Sequence, residues 1–151
     1  MEIRETSFEK ILPIWTDHLW PGRHSVIEPI SRLKFLGGYD RTVENREPRF
    51  FVAYEEGQVI GVNSCLRTGP TEFRSRGLFV FPQHRHRGVA SLLLEASCAV
   101  ARERGATSIW SAAREGAVAA YRRVGFSVVS PAIHKDFEFG PNYFVSKELC
   151  E

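Results

Sequence analysis

Gly77-Leu-Phe-Val-Phe-Pro82-Gln-His-Arg85-His-Arg-Gly88-Val-Ala90 runs straight into Ser91-Leu-Leu-Leu-Glu-Ala96, and this stretch decides the fold. An apolar strand stops at Pro82, because the residue before a proline is biased to extended geometry. A cationic turn follows, and the small residues Gly88 and Ala90 open an amphipathic helix. A helix start leaves backbone N–H groups without intrahelical partners, and its dipole favours negative charge there. With arginines alongside, the segment has the build of an anion site. Glycine at position 88 removes a side chain that would stand between those N–H groups and a bound anion.

Outward from the turn, Val89, Leu92, Leu93, Ala96 and Val100 make one apolar helical stripe, ended by Gly105. Upstream, Phe73 to Phe81 reads as a strand. Phe50 to Tyr54 and Val59 to Leu66 flank a Glu55-Glu56-Gly57-Gln58 turn and read as an antiparallel hairpin. Downstream come a strand over Ser108 to Ala113, a short helix over Gly116 to Val124, and strands over Phe126 to Val129 and Tyr143 to Lys147. At the N-terminal end a strand spans Glu2 to Thr6. A helix carrying Phe8, Ile11, Leu12, Trp15 and Leu19 follows, ended by Pro21-Gly22. A second helix is expected over Ser25 to Leu36, with Pro29 early enough to be tolerated. The order β-α-α-β-β-β-α-β-α-β-β implies an α+β fold, a central mixed sheet with helices on both faces. No repeat or linker divides the chain, so residues 1–151 are expected to form one domain.

Composition narrows the partners. The net charge is +2, with 20 Lys and Arg against 18 Asp and Glu. That disfavours a dedicated nucleic-acid binder, which needs many uncompensated phosphate contacts. Most of the cations are arginine, whose fork suits phosphate and carboxylate groups. Cys65, Cys98 and Cys150 are widely spaced and odd in number, which reads as reduced thiols rather than a zinc or disulfide frame. No basic-then-apolar leader and no apolar run of about 18 residues is present, so a cytoplasmic protein away from membranes is expected.

The order Arg85-x-x-Gly88-x-Ala90 after a strand resembles the pyrophosphate-binding motif of the GNAT acyltransferases. A second signature agrees: Ala117-Val-Ala-Ala-Tyr121-Arg-Arg-Val-Gly125-Phe126 resembles the family helix that carries a tyrosine four residues before Gly-Phe. The element order matches as well, most strongly from about Arg49 to Phe126. The resemblance implies an acetyl-CoA-dependent N-acetyltransferase acting by direct attack of an amine in a ternary complex. It assigns pyrophosphate contacts to the backbone of Arg85, His86, Arg87, Gly88, Val89 and Ala90. The pantetheine arm falls to Leu78, Phe79 and Val80, whose backbone would hydrogen-bond to it as to an extra strand. Here His86 replaces a common glycine, and Arg114 stands where an asparagine often contacts CoA, keeping a reach to phosphate or ribose. Tyr121 takes the role of general acid to the departing thiolate, a phenol being close in pKa to an alkyl thiol.

The residue that deprotonates the amine is not legible. The family's usual acidic positions hold Phe81 and Ile109-Trp110, leaving Glu72, Glu28, His24 and Asp40, or a water chain. His84 and His86 lack the carboxylate or cysteine company of a metal site, so no metal is expected. Trp15, His18, Trp20, Arg23 and His24 form an aromatic, polar cluster where the family places its acceptor cleft. Acceptors left open are a small amine or a peptide or protein amine, with a homodimer possible. The alternatives are a non-catalytic acyl-CoA sensor, and an acyltransferase using another acyl group or acceptor. An acyl-enzyme route through Cys65 is the remaining challenger to direct attack.

Overall fold

The computed structural model describes residues 1–42 and 46–149. Its strands are β1 (Glu2–Thr6), β2 (Arg49–Glu55), β3 (Gln58–Gly69), β4 (Glu72–Val80), β5 (Ser108–Arg114), β6 (Ser127–Val128) and β7 (Asn142–Glu148). The α-helices are α1 (Phe8–Ile14), α2 (Val89–Glu103) and α3 (Val118–Arg123). The strands join one sheet in the order β1-β2-β3-β4-β5-β7-β6. Neighbours are antiparallel except β4 and β5, which are parallel.

Strand alternation sends successive side chains to opposite faces, and both faces are covered. Phe51, Ala53, Phe73 and Ile109 pack with Leu93, Leu94, Cys98 and Ala101 of α2 and with Tyr121 of α3. Phe50, Val52 and Val62 pack on the other face with Ile11 and Trp15. Further along that face Leu33, Trp110 and Phe144 cluster. Fully buried leucines such as Leu93 and Leu94 each contribute roughly 1.5–3 kcal/mol through removal from water.

The first helix is shorter than its periodicity suggests. Pro13 withdraws one N–H from the ladder, and Trp15–Leu19 continue as a wider π-turn in which Trp20 N–H bonds to the Trp15 carbonyl at 2.7 Å. The helix expected over Ser25 to Leu36 does not form. Its residues run as a loop closed by a Leu33–Tyr39 bridge. Two buried arginines of β4 claim its polar groups: Arg76 Nη1 donates to the Glu28 carbonyl at 2.8 Å, and Arg74 Nη1 to Ser31 Oγ at 3.0 Å. In a helix that carbonyl would be taken by the chain itself, and Pro29 would lack its donor. The tertiary bonds win. Cys65 and Cys98 are free and buried, while Cys150 lies outside the described residues.

Candidate active site

Strands β4 and β5 are paired only from Glu72–Ser108 to Arg74–Trp110, and beyond that point the ladder ends. A register shift between β3 and β4, where Val62 faces Phe79 and Ser64 faces Arg76, marks a bulge at Gly77 and Leu78. Gly77 has φ +80°, and Trp15 Nε1 donates to its carbonyl at 2.8 Å. The bulge thus bends the β4 edge just where it leaves its parallel neighbour. Beyond it, Leu78, Phe79 and Val80 finish the strand unpaired on the β5 side.

The turn that follows leads into the start of α2 through two left-handed residues. Pro82–His84 form one 3-10 turn, Arg85 is extended, and His86 (φ +62°) and Gly88 (φ +85°) are left-handed. No side chain caps α2, so its first N–H groups are left to water or a ligand. A Cβ built on Gly88 meets nothing within 4 Å and points into open space beside them. Val89 is anchored in the core, whereas Ala90 is only half-buried. Arg85 Nε bonds the Val80 carbonyl at 2.7 Å, and its guanidinium lies 5.4 Å from the Phe79 ring. Arg87 forks onto Glu55 at 2.7 and 2.8 Å, a bond that lowers the Glu55 carboxyl pKa. Its side chain is therefore committed to Glu55, and its backbone remains for a ligand.

Tyr121 projects from α3 toward the place where the strands part. Its hydroxyl lies 2.9 Å from Ser111 Oγ, and Ser111 Oγ donates to the Ser75 carbonyl at 2.7 Å. Since the single Ser111 proton is used, Tyr121 is the donor in its pair. Ser75 and Ser111 are the first residues of β4 and β5 past the last paired rung. Burial pushes the phenol pKa up, partly offset by the nearby Arg74 charge. The hydroxyl is thus held protonated.

On the opposite face a cavity of about 200 Å³ opens over the same strands. Arg74, Arg76, Arg23 and Arg114 line it together with Trp20, Phe139 and the carboxylates Asp136 and Glu138. Arg114 belongs here: its Nη2 donates to the Leu19 carbonyl at 2.6 Å and its guanidinium stacks on Phe139. Its side chain therefore faces this cavity, not the Arg85–Ala90 turn, and burial lowers its pKa. Trp20 and Arg23 of the N-terminal cluster line the cavity, and Trp15 supports it from beneath Gly77. His18 instead stacks on Phe79, and the His24 ring lies 3.1 Å from Glu138.

None of the four base candidates named from sequence lines this cavity. Glu72 accepts from the Thr68 hydroxyl at the paired end of β4. Asp40 is held below the usual carboxylate range by Thr42 and sits 3.4 Å from Arg46. Glu28 reaches Arg32 at 3.8 Å, with an exposed side chain. Sequence reasoning missed Asp136 and Glu138, which come from the loop before β7 and carry no motif. It also missed Arg74 and Arg76, although two arginines at strand spacing inside an apolar strand were the available signal. Cys65 is fully buried, and burial pushes its thiol up to about 12, so it offers no thiolate near neutrality. Among the described residues no group of three His, Cys, Asp or Glu is arranged to hold a metal.

The sequence model of the acetyltransferase (GNAT) family matches residues 12–126, a span holding the bulge, the turn and Tyr121. No curated protein matches the chain. Among solved structures, an aminoglycoside 6′-N-acetyltransferase complexed with coenzyme A superposes with a TM-score of 0.72 at 13% identity, covering 100% of this chain and 98% of that one. Ard1 from Thermoplasma volcanium gives 0.71 at 19%, over 99% and 98% of the two chains. A nourseothricin acetyltransferase gives 0.69 at 19%, over the same shares. At these identities the likeness is one of fold.

Proposed function

From the premise that this chain belongs to the acetyltransferase (GNAT) family, whose members are acyltransferases, we propose that it is an acetyl-CoA-dependent N-acetyltransferase acting on a primary amine by direct attack in a ternary complex. The observation that carries the reading is the end of the β4–β5 ladder at Arg74 and Trp110, with the Tyr121 hydroxyl bonded at the first residues beyond it. The donor's thioester supplies the activated acyl carbon. Its pyrophosphate is assigned to the backbone N–H groups of His86 through Ala90, where the uncapped helix and the open space at Gly88 fit an anion, the Arg85 N–H being held by the Pro82 carbonyl at 3.3 Å. The unpaired edge of Leu78, Phe79 and Val80 is assigned to the pantetheine arm, and its N–H groups to the thioester carbonyl.

The amine then enters from the cavity face and the leaving group departs toward Tyr121, on the other face of the same gap. An N–C bond forms, the C–S bond breaks, and the sulfur takes the phenol proton; the nitrogen gives up its second proton to solvent, from which the phenolate is reprotonated. A neutral, buried phenol suits that transfer, which contributes about 10²–10⁴-fold in general acid catalysis. Asp136 and Glu138, the carboxylates lining the cavity, are assigned the ammonium proton. Among the described residues no helix is long and apolar enough to cross a membrane, and a cytoplasmic setting belongs to the same reading.

The test is CoA thiol release from acetyl-CoA with pooled amines (polyamines, amino acids, aminoglycosides, short peptides), for wild type and Tyr121→Phe. Release in one pool, strongly slowed in the variant, supports the transferase. Silence in every pool, with acetyl-CoA still raising the melting temperature, favours the non-catalytic sensor.

A further inference from the structure

Arg74 and Arg76 are 8% and 3% exposed, yet among the described residues neither has a carboxylate partner. Burying a charge without a counter-ion is costly, and such pairs are ordinarily matched. Instead both guanidiniums lie against tryptophans: Arg74 is 5.0 Å from the Trp110 ring, and Arg76 is 5.1 and 5.4 Å from Trp15 and Trp20. Stacking holds them in place but supplies no negative charge. Among the described residues Arg74 Nε has no hydrogen-bond partner. Burial pushes Arg74 down to about 10 and Arg76 well below the usual guanidinium range. Arg23 and Arg114, also depressed by burial, complete the set around the cavity.

The two carboxylates on the lining offset only part of this charge, two against four guanidiniums. Glu138 accepts from the His24 N–H and lies 3.1 Å from its ring, and Asp136 sits beside Tyr39, whose pKa burial and that carboxylate both raise. The uncompensated groups are planar forks, which suit a planar carboxylate. The cavity, about 200 Å³, falls below the roughly 300–1,000 Å³ of sites for drug-sized ligands. That size suits a small polar ligand. The carboxylates on the same wall suit an ammonium group.

We propose that this cavity binds a small amine bearing a carboxylate, a free amino acid in chemical class, with Arg74 and Arg76 receiving the carboxylate. The inference rests on the transferase reading for what happens next: the amino group of that molecule is the acceptor. Binding itself does not depend on turnover, which allows the two to be tested apart.

The wild-type protein is offered the L-amino acids, each beside its carboxamide, with spermidine and phosphoethanolamine as further probes. Two quantities are read: CoA release with acetyl-CoA, and the melting temperature without it. The expected result is that one or a few amino acids are acetylated with kcat/KM about tenfold or more above their amides, the loss of a charge-assisted pair. Arg76→Gln lowers that preference, and so does Arg76→Lys, which keeps the buried charge and loses only the planar fork, so a folding failure of the first leaves the second informative. Amino acids that raise the melting temperature without any turnover support the carboxylate site and count against the transferase. Amides, spermidine or phosphoethanolamine used as well as or better than every amino acid overturn the inference and leave the transferase standing. Amino acids that neither react nor shift the melting temperature also overturn it.

Discussion

Trp15 and Gly77 are interlocked: the indole N–H donates to the Gly77 carbonyl at 2.8 Å, and the indole ring occupies the space a Cβ on Gly77 would need. Gly77 also holds φ +80°, a conformation that a side chain strains. Substitution therefore meets two penalties at once. Gly77→Ala is expected to destabilise the fold by about 3 kcal/mol or more, seen as a lowered urea midpoint. An unchanged midpoint would remove the bulge from the list of features that shape the β4 edge.

Tyr121 must be protonated to act as an acid, and its pKa is raised by burial. Raising the pKa of an acid extends its active form upward in pH. The alkaline limb of kcat is accordingly expected above the ordinary phenol value of about 10, and absent in Tyr121→Phe. The variant loses about 10²-fold or more in kcat with KM for acetyl-CoA unchanged. It gives up one hydroxyl bond, worth about 1 kcal/mol, so folding survives. Full turnover in the variant would move the acid elsewhere.

Much of this was readable before the structure, and the divide is physical. Turns and periodicities are local, so the Arg85–Ala90 turn, the hairpin around Glu55–Gln58 and the Tyr121 helix stand close to where the residues put them. Helix propensity over Ser25 to Leu36 is local too, but Arg74 and Arg76 reach across more than 40 positions to claim Ser31 and the Glu28 carbonyl. No window of sequence contains that competition. Arg114 follows the same pattern: its backbone position belongs to the end of β5, while its side chain answers to Leu19 and Phe139. Asp136 and Glu138 enter the site through a loop, where spacing says nothing about direction.

Gly88 separates stability from binding. A Cβ there meets no protein atom, so Gly88→Ala pays only for φ +85°, about 1–2 kcal/mol. The methyl would point into the space beside the free N–H groups of α2. Affinity for CoA is expected to fall about tenfold or more, the loss of one or two charge-assisted bonds. Calorimetric titration of the folded variant checks it. An unaltered Kd would mean that the anion sits elsewhere.

Cys65 tests the ternary complex. Its thiol is fully buried and pushed up to about 12, so iodoacetamide at pH 7.5 is expected to leave it unmodified in the folded protein. Cys65→Ala keeps kcat while costing about 1 kcal/mol of stability through the small cavity it leaves. Loss of all activity in a folded variant would restore the acyl-enzyme route.

Arg114 distinguishes the two ends of the gap. A cofactor contact would make Arg114→Gln weaken acetyl-CoA, raising its KM. In the structure the guanidinium bonds the Leu19 carbonyl and stacks on Phe139, at the mouth of the arginine-lined cavity. Removing its charge there leaves the proposed phosphate site untouched, because that site is assigned to backbone N–H groups on α2 and the turn before it. Arg114→Gln is therefore expected to raise KM for the amine several-fold and leave the Kd of CoA within error, measured on the same preparation. A raised Kd for CoA with an unchanged amine KM would return Arg114 to the cofactor and shrink the acceptor site to Arg23, Arg74 and Arg76.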